Sequence, residues 1–260
     1  MGANMVPDSG MMAGAGGTKT YTLDAVPTGW SAYETFASQS QFGMNSPEDH
    51  QWHLPGQSAC SIFQPNEINN SVQNKSAFVQ AHSPKIPVIP GQRYEFSVYT
   101  GAHRCMVWTG LEFYDVNNNQ ISSVQSTESN DAEKVGGKVL SGWKRIGMFV
   151  TAPANAVTAL LAIRKGPTKP GQTEKTSWLF YTMPMFAVAS SYQTVLSPYS
   201  HSGLGTQISP EGIRTPSLSA ISANIGLLRT GSNGARTEIE ANQIRVYDGS
   251  NRMRVRLGIW

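Results

Sequence analysis

Charge is scarce in this 260-residue chain: Asp, Glu, Lys and Arg together make up 14% of it. So light a load argues against a long solvated helical bundle, whose outer faces need acids and bases at regular spacing. Cysteine is scarcer still. Cys60 and Cys105 are the only two, so no disulfide framework staples the fold, and two buried or partly buried thiols are favoured over a bond between them. No apolar run reaches the ~18 residues of a spanning helix. The N-terminus lacks the basic region and apolar core of an export signal. It also lacks the Ser or Thr that myristoylation wants at position 6, which is Val6. A soluble protein made without export is expected. Catalytic signatures are missing too: there is no G-x-S-x-G, no H-E-x-x-H and no phosphate-cradling glycine loop. No pair of carboxylates stands out for glycosidase chemistry. The expectation is a protein that is not an enzyme, although a constellation assembled from distant strands would leave no such trace.

Gly, Ser, Thr, Asn and Gln are abundant, which suits turn-rich β structure, and the length allows one large or two small domains. The run Ile86–Ser122 carries the clearest pattern. Pro90-Gly91 is a turn, after which Tyr94, Phe96 and Val98 alternate with Glu95 and Ser97 at the two-residue period of a half-buried strand. Leu111, Glu112 and Phe113 repeat that pattern, and Asp115–Asn119 closes it as a polar turn. Further strands are expected around Tyr21–Phe42, from Trp143 to Val150, from Val157 to Ile163 and from Trp178 to Phe186. Pro184 should end the last of these or lie on an edge, and Gly166–Thr176 reads as an exposed loop. About eight strands between 20 and 190 predict an all-β fold, a jelly-roll β-sandwich.

These patterns divide the chain into three segments. Residues 1–18 are Gly-, Ala- and Met-rich without periodicity and read as a flexible arm. Residues 19–196 form the sandwich. Residues 197–260 differ in character. Leu218, Ile221, Ile225 and Leu228 have helical spacing and predict a short helix over 217–228, and two alternating strands, Ile239–Tyr247 and Arg252–Ile259, flank Asp248-Gly249-Ser250-Asn251 as a β-hairpin. A helix and a hairpin of this length bury little core alone, and self-association as a threefold trimerising tail is the expected remedy. From His201 onward there are seven Arg, no Lys and four acids, whereas the first 200 residues hold 13 basic and 13 acidic side chains. The net charge of +3 therefore belongs to the tail.

Two regions resemble known families. The stretches VIPGQRYEFSVYT, LEFYDVNNNQIS, GWKRIGMFVTAPANAVTALLAIRKG and SWLFYTMPMFAVA resemble carbohydrate-binding modules of the jelly-roll type. The tail, QISPEGIRTPSLSAISANIGLLRTG followed by ARTEIEANQIRVYDGSNRMRVRLG, resembles the C-terminal region of phage host-specificity (central tail-fibre) proteins of the lambda type. The resemblance implies a homotrimeric tail tip assembled with other phage tail proteins in the host cytoplasm. It further implies a virion component that meets a bacterial surface glycan or outer-membrane receptor. The long body domains of such proteins are absent from this sequence. A structural tail-tip protein without receptor contact, or a binding module of a polysaccharide-degrading enzyme, is the alternative.

A glycan surface needs an aromatic face for the sugar C–H groups, rimmed by amide, carboxylate and guanidinium groups. Tyr33, Trp52, His53, His103, Arg104, Trp108 and Tyr114 lie in or beside expected loops and are the candidate ligand-binding residues. Trp52 sits in the polar stretch PEDHQWHLPG and reads as exposed; Trp143 and Trp178 read as core, and Trp108 divides evenly between core and contact. No cofactor and no metal is expected. His50 and His53 lack Cys partners, and the Asp115–Asn119 run has Gln120 and Ser126 where a calcium loop needs Gly and Glu. Arg245, Arg252, Arg254 and Arg256 recur on the hairpin, as a solvated face paired with Glu238 and Glu240 or, more sharply, as a contact for an acidic surface such as lipopolysaccharide. Nucleic acid is not favoured, because Tyr247 is the one aromatic on that face.

Overall fold

The computed structural model describes residues 4–7, 9, 26–27, 29–45, 54, 59–130, 134–200, 207–209, 212–214, 227–240 and 242–258. The chain divides into two compact units, Met1–Pro216 and Ser217–Trp260.

The first unit is a β-sandwich. Its seven-stranded sheet runs β1 (Ser31–Glu34), β4 (Val79–His82), β11 (Thr158–Thr168), β7 (Cys105–Tyr114), β8 (Gln120–Gln125), with β5 (Ile86–Pro87) beside β11 and β9 (Ser129–Asn130) beside β7. The five-stranded sheet runs β10 (Lys144–Thr151), β6 (Arg93–His103), β12 (Ser177–Val188), β3 (Ala59–Gln64), β2 (Gln41–Asn45). The two-residue period turns one face of each strand inward. Tyr94, Phe96 and Val98 of β6 meet Leu111 and Phe113 of β7, Leu161 and Ile163 of β11, and Leu179, Tyr181 and Phe186 of β12 in one buried cluster between the sheets. Both cysteines are buried, and no disulfide joins them. Asp115 builds the β7–β8 turn by accepting the backbone N–H groups of Asn117 and Asn119 at 2.9 and 2.8 Å, with Asn118 left-handed at φ +67°.

Several expectations need correction. Pro184 lies inside β12 rather than at its end, on a stretch that pairs with β6 but no longer with β3, whose ladder stops at Tyr181; the ladder to β6 skips a residue between Thr182 and Met185, with Met183 at φ +53°. A bulge accommodates the missing N–H there. Gly166–Thr168 is the buried end of β11, where a second register shift falls between Lys165 and Thr168, so the loop begins only at Lys169. The arm assigned to residues 1–18 is tied down where it is described: Asn4 and Val6 are buried, and the Met5 N–H donates to the Phe186 carbonyl at 2.7 Å.

A short pair, β13 (Gln207–Ser209) and β14 (Gly212–Arg214), stands apart from both sheets. In the second unit, β15 (Leu227–Arg229), β16 (Arg236–Glu240), β17 (Gln243–Tyr247) and β18 (Met253–Gly258) form an antiparallel four-stranded sheet. The expected Asp248–Asn251 turn is present, with Asn251 at φ +61°. The expected strand Ile239–Tyr247 is broken into β16 and β17 at residues 241–242. The helix expected over 217–228 falls outside the described residues up to 226, and Leu227 and Leu228 open a strand instead. Among the described residues the one helical turn is Leu140–Gly142.

Candidate functional site

Alternation sends every second residue of β4, β11 and β7 away from the core, onto the outer face of the seven-stranded sheet. The register lines these residues into rows. Tyr33, Gln80, Arg164 and Trp108 sit side by side across β1, β4, β11 and β7. The next row holds Ser31, His82, Ala162, Gly110 and Gln125, and the one after it Leu160, Glu112 and Ser123. Rows lie about 6.8 Å apart and strands about 4.8 Å apart.

Arg164 organises this face. Its side chain crosses from its own row over Gly110 to reach Glu112, with Nη2 2.5 Å from Oε1. Gly110 makes the crossing possible, because a Cβ there would lie 3.0 Å from Arg164 Nη1 and 3.0 Å from the Val124 carbonyl. Arg164 Nε donates to Gln80 Oε1 at 2.6 Å, and the guanidinium packs 4.8 Å from the centre of the Phe78 ring. Phe78 in turn meets Trp108 edge-on at 6.0 Å. The second oxygen of Glu112 accepts the Tyr114 hydroxyl at 2.8 Å, and Lys85 Nζ lies 3.3 Å from the centre of the Tyr114 ring. Burial, followed by the Glu112 hydrogen bond, raises the Tyr114 hydroxyl above its ordinary pKa. Tyr114 is therefore a neutral donor across the physiological range.

At the other corner His82 stacks on Tyr33, ring centres 6.1 Å apart and planes 25° apart. Burial holds the His82 imidazole below its usual pKa, with Glu112 opposing and Arg164 assisting. Its Nε2 and the Nε1 of Trp108 are buried polar atoms without a partner among the described residues, on a face whose other polar groups are largely satisfied. From Tyr33 to Tyr114 the diagonal of the face measures about 25 Å by strand geometry. An aromatic ring thus marks each end, with an amide, an imidazole, a guanidinium and a carboxylate between.

Of the seven residues predicted from sequence, the structure brings three together and places two elsewhere, and two lie outside the described residues. Tyr33 is 53% exposed on the face, and Tyr114 is half-buried at its far corner. Trp108 is on the same face but is fully buried, so it supports the surface rather than offering its ring. His103 lies on the other sheet: it pairs with Trp178, its Nε2 is 2.8 Å from the Val135 carbonyl, and its edge meets Phe180 at 5.6 Å. Arg104 ties the β6–β7 turn to the β11–β12 loop, donating from Nε to the Thr176 carbonyl at 2.6 Å and pairing with Glu174 at 2.8 Å. Trp52 and His53 lie outside the described residues.

Sequence reasoning missed Gln80, His82, Glu112 and Arg164. One signal was available: Glu112 and Arg164 are opposite charges placed in largely apolar strands, where only a partner makes burial tolerable.

No family model and no curated protein matches the sequence. Solved structures are similar at low identity. The enzymatically active domain of tailspike protein 4 of bacteriophage CBA120 aligns at 12% identity over 72% of this chain and 22% of its own, with a TM-score of 0.46. A xylan-binding domain of carbohydrate-binding-module family 22 aligns at 14% identity over 69% of this chain and 97% of its own, with a TM-score of 0.37. The N-terminal cellulose-binding domain of Cellulomonas fimi β-1,4-glucanase C aligns at 12% identity over 66% and 96%, with a TM-score of 0.37. The chain spans less than a quarter of the tailspike domain it matches.

Proposed function

We propose that this protein recognises a glycan on the outer face of its seven-stranded sheet, as the non-catalytic receptor-binding component of a bacteriophage tail tip or fibre. The observation that carries the glycan reading is the Gln80–Arg164–Glu112–Tyr114 network with Tyr33 and Tyr114 at its ends. Gln80, Arg164 and Glu112 are only 2–5% exposed, so the network holds the floor of the face rigid beneath the more accessible rings of Tyr33 and Tyr114, which suit the apolar faces of sugars. The length of the face fits a chain rather than a single sugar. Both oxygens of Glu112 are engaged, which suits holding a ligand better than transferring a proton.

The phage setting rests on the C-terminal sequence motif. Assembly in three copies draws support from the second unit, where Ile239, Ile244, Val255 and Leu257 are 38–57% exposed. The cross-strand pairs Ile239–Ile244, Ile244–Leu257 and Val246–Val255 place them on one face of a small sheet. Three weak sites on one stalk raise avidity without a tight single site.

The deciding experiment is binding of the full-length protein to oligosaccharides cleaved from host-cell surfaces, followed by calorimetry, with Tyr33→Ala and Gln125→Ala variants, two exposed positions of this face. Loss of binding in both, with unchanged unfolding curves, is expected. Full binding by both variants overturns the assignment of this face.

A further inference from the structure

The second unit carries the excess charge of the chain on one face. Ser217–Trp260 holds six arginines and three carboxylates, and no lysine or histidine. The register sets four charged residues in a straight row across the sheet: Arg229 on β15, Glu238 on β16, Arg245 on β17 and Arg256 on β18. The first three alternate in sign; the last two are like charges directly opposite one another, an arrangement that weakens a sheet unless something else compensates it.

The local acids are already committed. Glu238, 4% exposed, takes Arg229 at 2.9 Å and Arg236 at 2.8 Å, with Arg245 at 4.0 Å. Glu240 takes Arg245 at 3.3 Å, and Asp248 takes Arg254 at 2.6 Å. Arg252 makes no ion pair among the described residues, and the whole of β18 is exposed. Positive charge therefore accumulates along the exposed edge strand, where Arg252, Arg254 and Arg256 stand at alternate positions. Repeated guanidinium groups at this spacing match an extended chain of anionic groups.

We propose that this ionic face binds a polyanionic surface saccharide, one carrying phosphate or carboxylate groups along its length. A saccharide is favoured over nucleic acid because, among the described residues, the face offers no free stacking platform. Its aromatic residue, Tyr247, has the Arg236 guanidinium 3.9 Å from its ring centre. The surface belongs to a different unit from the Tyr33–Tyr114 face and stands whether or not that face binds glycan.

The test measures binding of the full-length protein to dextran sulfate, neutral dextran and a DNA duplex as salt rises from about 50 to about 300 mM. Dextran sulfate alone is expected to bind, with log K falling against log salt at a slope of about −2 to −3. The double variant Arg252→Ser, Arg256→Ser should weaken it about tenfold and flatten the slope by about 1 to 2. Glu240→Gln, which releases Arg245, should tighten it about twofold, an effect that misfolding does not produce. Tyr33→Ala should leave this binding unchanged, which separates it from failure of the sandwich site. Equal binding of neutral dextran, tighter binding of DNA, or an unaffected double variant overturns the proposal.

Discussion

Asn4 donates from its side-chain amide to the Pro184 carbonyl, 3.0 Å away and 180 residues along the chain. The same carboxamide accepts the N–H groups of Val6 and Phe186 at 3.1 Å each and donates to the Ser200 carbonyl at 2.8 Å. Pairing of β12 with β3 ends at Tyr181, so beyond it one edge of β12 is left open beside the bulge. Asn4–Val6 fills that edge with hydrogen bonds and with Val6 in the core.

Asn4→Ala should therefore destabilise the sandwich by about 1–3 kcal/mol, because the Pro184 carbonyl and the Phe186 N–H are buried polar groups left unpaired. Urea denaturation of the two proteins measures this. Equal midpoints with equal slopes would show that the N-terminal residues add nothing.

Trp108→Ala should act on stability and not selectively on ligand binding. The ring is fully buried against Phe78, and removing a buried Trp costs about 3–5 kcal/mol. A variant with wild-type stability and weakened glycan binding would contradict this placement.

Gly110→Ala tests the path of Arg164. The added Cβ must push back either the guanidinium or the Val124 carbonyl; the side-chain end yields more easily, which pulls Arg164 off Glu112. The cost is expected at about 1–3 kcal/mol. Loss of glycan affinity beyond that of a mild destabilisation should accompany it. Arg164→Ala is harsher, since an unpaired buried Glu112 costs about 3–5 kcal/mol.

Much of the sandwich was legible because its strands alternate cleanly: Tyr94-Phe96-Val98, Leu111-Phe113 and Leu161-Ile163 all face the core as their spacing requires. The features that escaped were set by contacts distant in sequence. Nothing near Pro184 says that a bulge will absorb it, and nothing in the Gly- and Met-rich start says that Asn4 will meet Phe186. Tyr33 and Tyr114 were found as aromatics beside turns. Gln80 and Arg164 were not, because their meaning depends on strand register, which aligns β1, β4, β11 and β7 only in three dimensions. Arg104 looked like a contact residue by type, yet its left-handed backbone at φ +55° marks it as a turn residue.

Lys165 gives the sandwich a pH dependence of its own. It is fully buried, and its Nζ donates to Gln64 Oε1 and the Gly166 carbonyl at 3.0 Å each. Burial, opposed by Cys105, lowers its pKa from 10.5 to about 8. Below that pH both folded and unfolded chains hold the proton, and the buried ammonium is a constant cost. Between about 8 and 10.5 the unfolded chain binds more protons than the folded one, so stability rises with pH through that window. The rise amounts to about 3 kcal/mol. Lys165→Met removes the titration, so the stability of the wild type relative to this variant should climb from about pH 8 to pH 10.5, measured by urea denaturation of both. Other lysines and tyrosines titrate in both proteins and cancel in that difference. A difference that stays flat across the window would mean that Lys165 reaches water in the folded state.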